Sequence, residues 1–326
     1  RYTEPQFAEL MVKEGRADLV AFGRQSLADP AMPKKAQEER LEDMTPCIAC
    51  LQGCVANMYA GNPVCCLTNP FLGHEAEPLE KAEEPKKVMV IGGGVAGLSA
   101  AFIAKERGHE VTLYEAGDVL GGNMRLAAYP PGKGDITNMI RSYIHRCQKD
   151  GVKIVMNCEV TPELIKEEKP DSVIIATGSK TLILPIKGID NPAIIHGSDL
   201  LDGKRAAGKK VLVVGGGMVG CETAAFLGEQ EHDVTVIEFR DTVGADVIHE
   251  HRVYLMKDFE DYGIKEITGA KVCKFYEDGV EYETADGVRH ESRGYDSVIL
   301  SMGFRNYNPL EEKIKDLVPE THVIGD

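Results

Sequence analysis

The chain has 326 residues, a formal net charge of −15 at pH 7, 43% apolar residues and 27% charged residues. This length predicts two or more domains of an ordinary globular protein. The acidic balance argues against a nucleic-acid or anionic-membrane surface, since both require a basic face. No apolar run reaches the roughly 20 residues of a transmembrane helix. Nine cysteines without a secretory signal favour the cytoplasm, where clustered thiols bind metal or perform redox chemistry.

The residues before the first cysteine predict a helix, a strand and a connector. Residues 7–14 predict a short helix with Gly15 as its C-terminal stop, and residues 17–22 predict a buried strand. Residues 29–46 contain three X-Pro pairs and many charges, so we expect a connector with one or two helical turns. A polar, acidic linker is predicted at residues 73–87. Because the sequence starts with Arg and ends abruptly, we expect it to be a piece of a longer protein.

Five of the nine cysteines lie between residues 47 and 66. Cys47, Cys50 and Cys54 come from one tight loop or helical turn, and a fourth thiol follows from Cys65 or Cys66. Four thiolates at such asymmetric spacing are typical of an iron–sulfur cluster. A structural zinc ribbon is one alternative, but it usually has two Cys-x-x-Cys pairs, and the second pair is not clean here. Disulfides or free thiols are the other alternative.

Residues 88–115 and 211–238 form an internal repeat without a gap. Each copy reads as a buried strand, a glycine turn, a helix and a second strand that ends in glutamate, which is the pattern of a βαβ unit. The glycines follow the dinucleotide-binding pattern Gly-x-Gly-x-x-Gly. The predicted binding residues are Gly92, Gly94, Gly97 and Glu115 in the first copy, and Gly215, Gly217, Gly220 and Glu238 in the second.

Each residue of this pattern has a separate role. The first glycine permits a tight turn, the second lets a pyrophosphate approach the backbone, and the third lets the helix pack against the strand. The helix N-terminus binds phosphate, and the glutamate accepts hydrogen bonds from ribose hydroxyls. Glycines that serve packing alone are the alternative. Glu238 would repel the 2′-phosphate of NADPH, so NADH is favoured, although Arg240 could bind such a phosphate.

From residue 86 to its end, the chain resembles the flavin disulfide-reductase-like superfamily. The resemblance rests on the repeat, on "DSVIIATGS" at residues 171–179 and on the final "THVIGD". It implies FAD in the domain of the first copy and NAD(P)H in an inserted domain formed by the second. It also implies that Gly122, Gly178 and Asp326 contact FAD.

A disulfide reductase is nevertheless not indicated. The segment after Gly122 has no cysteine pair, and between residues 205 and 295 only Cys221 and Cys273 occur, far apart in sequence. We expect Cys221 to be a small core residue. The redox work is therefore assigned to the cysteine cluster.

"TPCIACLQGC" and "CLTNP" look like the iron–sulfur members of the old-yellow-enzyme-like NADH:flavin oxidoreductase family, which includes 2,4-dienoyl-CoA reductase, 2-enoate reductase and trimethylamine dehydrogenase. This resemblance implies an FMN-binding TIM barrel before the cluster, with residues 16–30 matching its last strand and the following loop. It implies that Gly23 and Arg24 hold the FMN phosphate. The implied ligands of a [4Fe–4S] cluster are Cys47, Cys50, Cys54 and Cys66.

We therefore predict an α/β protein with two Rossmann-like nucleotide-binding domains, the NAD domain inserted in the FAD domain, preceded by an iron–sulfur segment and the last strand of a TIM barrel. The predicted boundaries are 1–45 for the barrel end, 46–80 for the cluster segment and linker, 85–205 plus 296–326 for the FAD domain, and 206–295 for the NAD(P)H domain.

The implied function is electron input to a reductase. NADH would reduce FAD, the electrons would cross the cluster to FMN, and FMN would reduce an activated C=C bond in an enoate, enone or enoyl-CoA. Catalytic residues for that substrate are unknown, since they would lie in the rest of the barrel. The alternatives are an amine dehydrogenase that passes electrons outward, an electron-transfer subunit like the small chain of glutamate synthase, and a non-enzymatic scaffold stapled by zinc. A homo-oligomer is compatible with the sequence.

Overall fold

The structure is a computed structural model that describes residues 3–77 and 79–325. The predicted FAD residue Asp326 therefore lies outside the described residues. The chain divides into two compact units, each made of separate chain segments. The first unit comprises 1–125, 135–178 and 308–326, and the second comprises 126–134 and 179–307.

The described part of the chain alternates strands with helices, as an α/β fold requires. The helices are α1 (Pro5–Lys13), α2 (Arg24–Ala28), α3 (Met32–Gln37), α4 (Asn57–Tyr59), α5 (Val95–Glu106), α6 (Gly122–Leu126), α7 (Asp135–Lys149), α8 (Pro162–Glu168), α9 (Gly197–Leu201), α10 (Met218–Glu229), α11 (His249–Asp261) and α12 (Glu311–Ile314). The strands are β1 (Lys87–Ile91), β2 (Glu110–Tyr114), β3 (Lys153–Val155), β4 (Ser172–Ile175), β5 (Ser179–Thr181), β6 (Ile194–His196), β7 (Lys210–Val214), β8 (Asp233–Ile237), β9 (Lys265–Ile267), β10 (Lys271–Tyr276), β11 (Gly279–Glu283), β12 (Arg289–Arg293), β13 (Ser297–Leu300), β14 (Phe304–Asn306) and β15 (Glu320–Val323).

The first unit is built on a parallel sheet with the order β15-β4-β1-β2-β3. Its central strands are nearly continuous apolar runs, because helices cover both faces of such a sheet. Met89, Ile91, Val173 and Ile175 are buried in one apolar cluster with Ile314. The order reverses beside β1, and ligands of open α/β sheets bind at the carboxyl ends of strands at such a switch point. The first glycine turn lies there.

The second unit contains a parallel sheet with the order β6-β13-β7-β8-β9. It also has an antiparallel sheet of β10, β11 and β12, and the antiparallel pair β5 and β14. These bounds differ from the predicted span 206–295. The reason is that β6 and β13, on either side of that span, both form hydrogen-bonded pairs within this unit's parallel sheet.

Two N-terminal predictions have different outcomes. The helix predicted at residues 7–14 is present as α1, and Gly15 follows it with a φ of +65°. The strand predicted at residues 17–22 is wrong, since these residues form neither helix nor strand and Leu19 is 89% exposed. An apolar run becomes a strand only beside a partner strand, and the described residues offer it none.

The connector after α3 is fixed to α7. Asp43 accepts hydrogen bonds from His145 (3.1 Å), Arg40 (2.8 Å) and Lys149. These bonds, that from Lys149 foremost, hold the pKa of Asp43 well below its usual range. The segment that leads to the cysteines is thereby tied to the helix layer of the first unit. Within residues 3–77 and 79–325, no helix combines the length and apolar character needed to cross a membrane.

Candidate functional site

The first glycine turn, between β1 and α5, requires glycine at two positions. Gly92 has a φ of +107°, and a Cβ there would lie 2.3 Å from the Ala176 carbonyl oxygen. A Cβ on Gly97 would lie 1.9 Å from the carbonyl oxygen of Gly92. Both neighbours are backbone atoms that cannot move aside alone. These glycines therefore set how closely α5 approaches the strand.

The second glycine of this turn has open space in front of it. Gly94 precedes α5, and a Cβ there would meet nothing within 4 Å. The predicted FAD residue Gly122 lies beside it, because a Cβ on Gly122 would be 3.2 Å from the Cα of Gly94. Gly178 follows β4 with a φ of +65°. A Cβ on Gly325, the residue before Asp326, would lie 3.3 Å from that of Ala96 in the first turn of α5.

Glu115 closes the first glycine turn through its carboxylate. One oxygen accepts a hydrogen bond from Gly93 N (2.7 Å) and the other accepts one from Gly117 N (2.7 Å). A carboxylate offers about four lone-pair sites, so acceptor capacity remains for ribose hydroxyls. We call Gly92, Gly94, Gly97 and Glu115 the first cradle.

The second copy repeats this geometry, and we call Gly215, Gly217, Gly220 and Glu238 the second cradle. A Cβ on Gly215 would lie 2.4 Å from the Ser301 carbonyl oxygen, and one on Gly220 would lie 1.8 Å from that of Gly215. Glu238 accepts hydrogen bonds from Gly216 N (2.5 Å) and Arg240 N (2.9 Å). Both cradles therefore have the close strand-to-helix contact of a dinucleotide-binding turn, since a Cβ on the first or third glycine would strike a backbone carbonyl oxygen.

One residue of the second cradle escaped the sequence analysis. The carboxylate of Asp246 accepts a hydrogen bond from Met218 N (2.9 Å), the first residue of α10. Asp246 lies outside the repeat as first recognised, which ends at residue 238. Only an alignment of the two copies that continued past the second strand would have pointed to this carboxylate.

The cysteine-rich segment lines a small pocket in the first unit. Its cysteines are Cys47, Cys50, Cys54, Cys65 and Cys66. Within the described ranges, no three His, Cys, Asp or Glu side chains converge on one point as a single metal ion needs. All four predicted ligands line this one pocket.

The backbone between Cys47 and Cys54 is shaped around the pocket. Ala49 and Leu51 have φ values of +55° and +60°, in the left-handed region that non-glycine residues seldom adopt. A π-helical turn, Gln52–Ala56, follows. Burial raises the pKa of the Cys50 thiol, and nearby Cys54 and Cys66 raise it further, whereas backbone N–H groups of Gln52 and Gly53 lower it. Such N–H groups directed at sulfur also tune iron–sulfur clusters.

The two candidates for the fourth ligand differ in their surroundings. Cys65 is exposed, and its backbone N donates to the Gly53 carbonyl oxygen at 2.8 Å. The Sγ of Cys66 lies 3.3 Å from the Thr68 hydroxyl, and Cys66 is less exposed than Cys65. Both line the pocket, so the choice of Cys66 stays a prediction.

Two buried polar residues that the sequence analysis missed support the first of these cysteines. Gln25 is 2% exposed, and its amide donates to the Thr45 carbonyl oxygen and accepts from Cys47 N, both at 2.9 Å. Asp29 is 4% exposed and accepts from Thr45 N (2.9 Å) and from Lys35 (2.7 Å). Helix α2 and the residue after it therefore hold the chain that enters the cysteine loop.

We expect Gln25→Leu to loosen this loop, because Cys47 N and the Thr45 carbonyl would lose their partner in a buried place. The cost should be about 1–3 kcal/mol in the free energy of unfolding, measured by denaturant titration, with a parallel fall in bound iron. Gln25→Glu keeps the acceptor for Cys47 N, but it buries a carboxylate that faces the Thr45 carbonyl oxygen, so its loss of stability should be at least as large. Equal stability of Gln25→Leu and the wild-type protein would show that the amide does not hold the loop.

Gly23 and Arg24, the predicted FMN-phosphate residues, lie at the start of α2. Gly23 precedes the helix, and Arg24 lines the cysteine pocket. The structure thus brings Arg24 together with the predicted cluster ligands, which the sequence did not indicate. Their role toward FMN stays a prediction.

Two of the four cysteines outside the pocket, Cys147 and Cys221, are poor nucleophiles. Burial raises the pKa of Cys147 and of Cys221 to about 12. The Sγ of Cys221 donates to the Gly216 carbonyl oxygen at 3.2 Å, which fits the predicted small core residue. A thiol with such a pKa supplies little thiolate at neutral pH, so neither residue suits disulfide exchange.

The chain is similar to known proteins over nearly its whole length. NADH oxidase of Thermoanaerobacter brockii is 37% identical over 332 residues, covering 99% of this chain and 51% of that protein. Cinnamate reductase of Clostridium sporogenes is 33% identical over 330 residues, covering 100% and 49%. A solved 2-naphthoyl-CoA reductase in complex with 2-naphthoyl-CoA superposes with a TM-score of 0.95 and 35% identity, covering 99% and 50%. The chain thus spans about half the length of these proteins.

These matches confirm the predicted resemblance to flavin-dependent reductases and the predicted α/β fold class. The protein-family model described as pyridine nucleotide-disulphide oxidoreductase matches residues 86–318. This range includes both cradles and both parallel sheets apart from the edge strand β15. The chain therefore belongs to the pyridine nucleotide-disulphide oxidoreductase family.

Proposed function

We propose that this chain is the electron-input part of an NADH-dependent iron–sulfur flavoprotein reductase. The observation that carries the proposal is that one compact unit contains both the first cradle and the five-cysteine pocket. A dinucleotide cradle in the same unit as clustered thiols, with Cys147 and Cys221 buried and inert in the core, suits electron transfer better than disulfide exchange. The second cradle supplies a site for a second dinucleotide.

The residues have the following roles in this proposal. Gly92, Gly94 and Gly97 would hold the FAD pyrophosphate at the N-terminus of α5, with Glu115 on its ribose, and Gly122, Gly178 and Asp326 would complete the site. Gly215, Gly217, Gly220 and Glu238 would hold NADH in the same manner. FAD supplies the chemistry that turns a hydride, with its electron pair, into single electrons.

The cysteine pocket would hold the acceptor of those electrons. Cys47, Cys50, Cys54 and Cys66 would bind a [4Fe–4S] cluster, and Gln25 would fix the backbone beside Cys47. Gly23 and Arg24 would bind the phosphate of FMN at the next centre. The positively charged Arg24, at the edge of the pocket, suits a position between two redox groups that gain negative charge on reduction.

The final acceptor proposed is an activated C=C bond. The names of the cinnamate and 2-naphthoyl-CoA reductases indicate unsaturated carboxylic acids and their CoA esters as substrates of those proteins. An amine dehydrogenase is the second candidate. It is less favoured because an enzyme that passes electrons outward from an amine has no need of NADH, and the second cradle keeps all three glycines and Glu238.

Anaerobic purification followed by iron and sulfide analysis, a visible spectrum, and separate additions of NADH and NADPH tests the proposal. About four irons per chain, bound FAD, and faster bleaching by NADH than by NADPH are expected. Zinc in place of iron, or a holoprotein without flavin, would overturn it. Bleaching by an amine but not by NADH would favour the second candidate.

A further inference from the structure

The similarity of the two cradles extends beyond their glutamates. Gly121 N donates to the Gly93 carbonyl oxygen at 2.8 Å, and Gly244 N donates to that of Gly216 at 2.7 Å. These two hydrogen bonds are equivalent, because their residues are related by the same shift in sequence number that relates the two glycine turns. The repeat therefore continues through the loop after the second strand, where Asn123 in the first copy corresponds to Asp246 in the second.

The two copies differ in what lies above the second glycine. A Cβ on Gly94 would meet nothing within 4 Å, whereas a Cβ on Gly217 would lie 3.2 Å from Oδ2 of Asp246. The other oxygen of Asp246 accepts the hydrogen bond from Met218 N at the start of α10. The approach to the backbone is thus open in the first cradle and occupied by a carboxylate in the second.

A carboxylate and a pyrophosphate compete for such a position. Both are anions that bind the unpaired N–H groups and the positive end of a helix. The two also repel each other, so both cannot occupy it at once without cost. Asp246 is exposed, and its side chain can turn into water when a phosphate displaces it.

We propose that Asp246 is an affinity-setting residue of the second cradle. Its carboxylate occupies the pyrophosphate position until a dinucleotide displaces it, so the dinucleotide of this cradle is held weakly and exchanges. The first cradle has the neutral Asn123 at the matching position and retains its dinucleotide. This inference rests on the proposed function, in which the second cradle binds NADH and the first binds FAD.

The test is the dissociation constant of NAD⁺, measured by calorimetry on the holoprotein. Asp246→Asn should bind NAD⁺ about fivefold more tightly, since a competing charge at a helix end is removed. Asn caps helices as well as Asp does, so α10 should remain folded. Asp241→Asn is the matched control, because it removes the same charge from the same loop without a bond to α10. It should change the dissociation constant less than twofold.

Fragments of the nucleotide separate phosphate competition from other causes. ADP should gain affinity in Asp246→Asn as NAD⁺ does, and adenosine should not. In the reverse exchange, Asn123→Asp should weaken FAD retention on dialysis by a similar factor. An unchanged or weaker affinity of Asp246→Asn for NAD⁺, or an equal gain for adenosine, would overturn the inference while the proposed function stands. A wild-type holoprotein that binds no NAD⁺ or NADH would overturn the proposed function itself.

Discussion

Cys66→Ser should remove nearly all bound iron from the protein, whereas Cys65→Ser should leave the iron content close to that of the wild type. Cys66 is partly buried with its Sγ 3.3 Å from the Thr68 hydroxyl, whereas Cys65 is exposed and bonded through its backbone to Gly53. A cluster held by four thiolates does not survive the loss of one strong ligand with its full iron content.

The measurement is iron and acid-labile sulfide per chain after anaerobic purification, with the visible absorption of the cluster as a second readout. The two substitutions are adjacent and chemically identical, so each is the control for the other. Loss of iron from Cys65→Ser but not from Cys66→Ser would show that Cys65, and not Cys66, is the fourth ligand. Full iron in both variants would remove residues 65 and 66 from the cluster. Because metal binding and local folding are coupled, we also expect Cys66→Ser to expose the loop to proteolysis.

Gly97→Ala should destabilise the first unit severely. The added Cβ would lie 1.9 Å from the carbonyl oxygen of Gly92, a backbone atom in the tightest part of the turn. Overpacking that only backbone movement can relieve should cost about 3 kcal/mol or more. The expected results are a lower thermal midpoint and loss of FAD together.

Two other alanine substitutions separate folding from binding. Gly94→Ala has room for its Cβ and an ordinary φ, so it should fold normally. It should still lose FAD, because the added methyl group stands where the pyrophosphate approaches. Gly134→Ala also has room and lies outside the cradle, so it should match the wild type in both respects. Normal FAD content in Gly94→Ala would place the phosphates elsewhere.

The cradles could be predicted from sequence because their signals are local. In each copy a strand, three glycines at fixed spacing and a terminal glutamate lie close together in the sequence. In the first copy the geometry permits only glycine at positions 92 and 97. The five cysteines were equally local, and the structure gathers them around one pocket.

The parts that could not be predicted depend on partners distant in sequence. Gln25 and Asp246 are ordinary polar residues until the fold brings Cys47 N and Met218 N to them. The unit boundaries depend on which sheet β6 and β13 join. The residues of a short apolar strand do not reveal which other strand it will pair with. The run at residues 17–22 failed as a strand for the same reason.

The division of the chain into units has a consequence for its synthesis on the ribosome. Every residue of the second unit has been made once residue 307 is added, whereas the first unit lacks β15 until Val323. That strand forms the edge of the sheet next to β4 and leads to Gly325, close to the start of α5. The unit that begins first is therefore finished last, and the sheet that carries the first cradle gains its edge strand only after every residue of the second unit has been made.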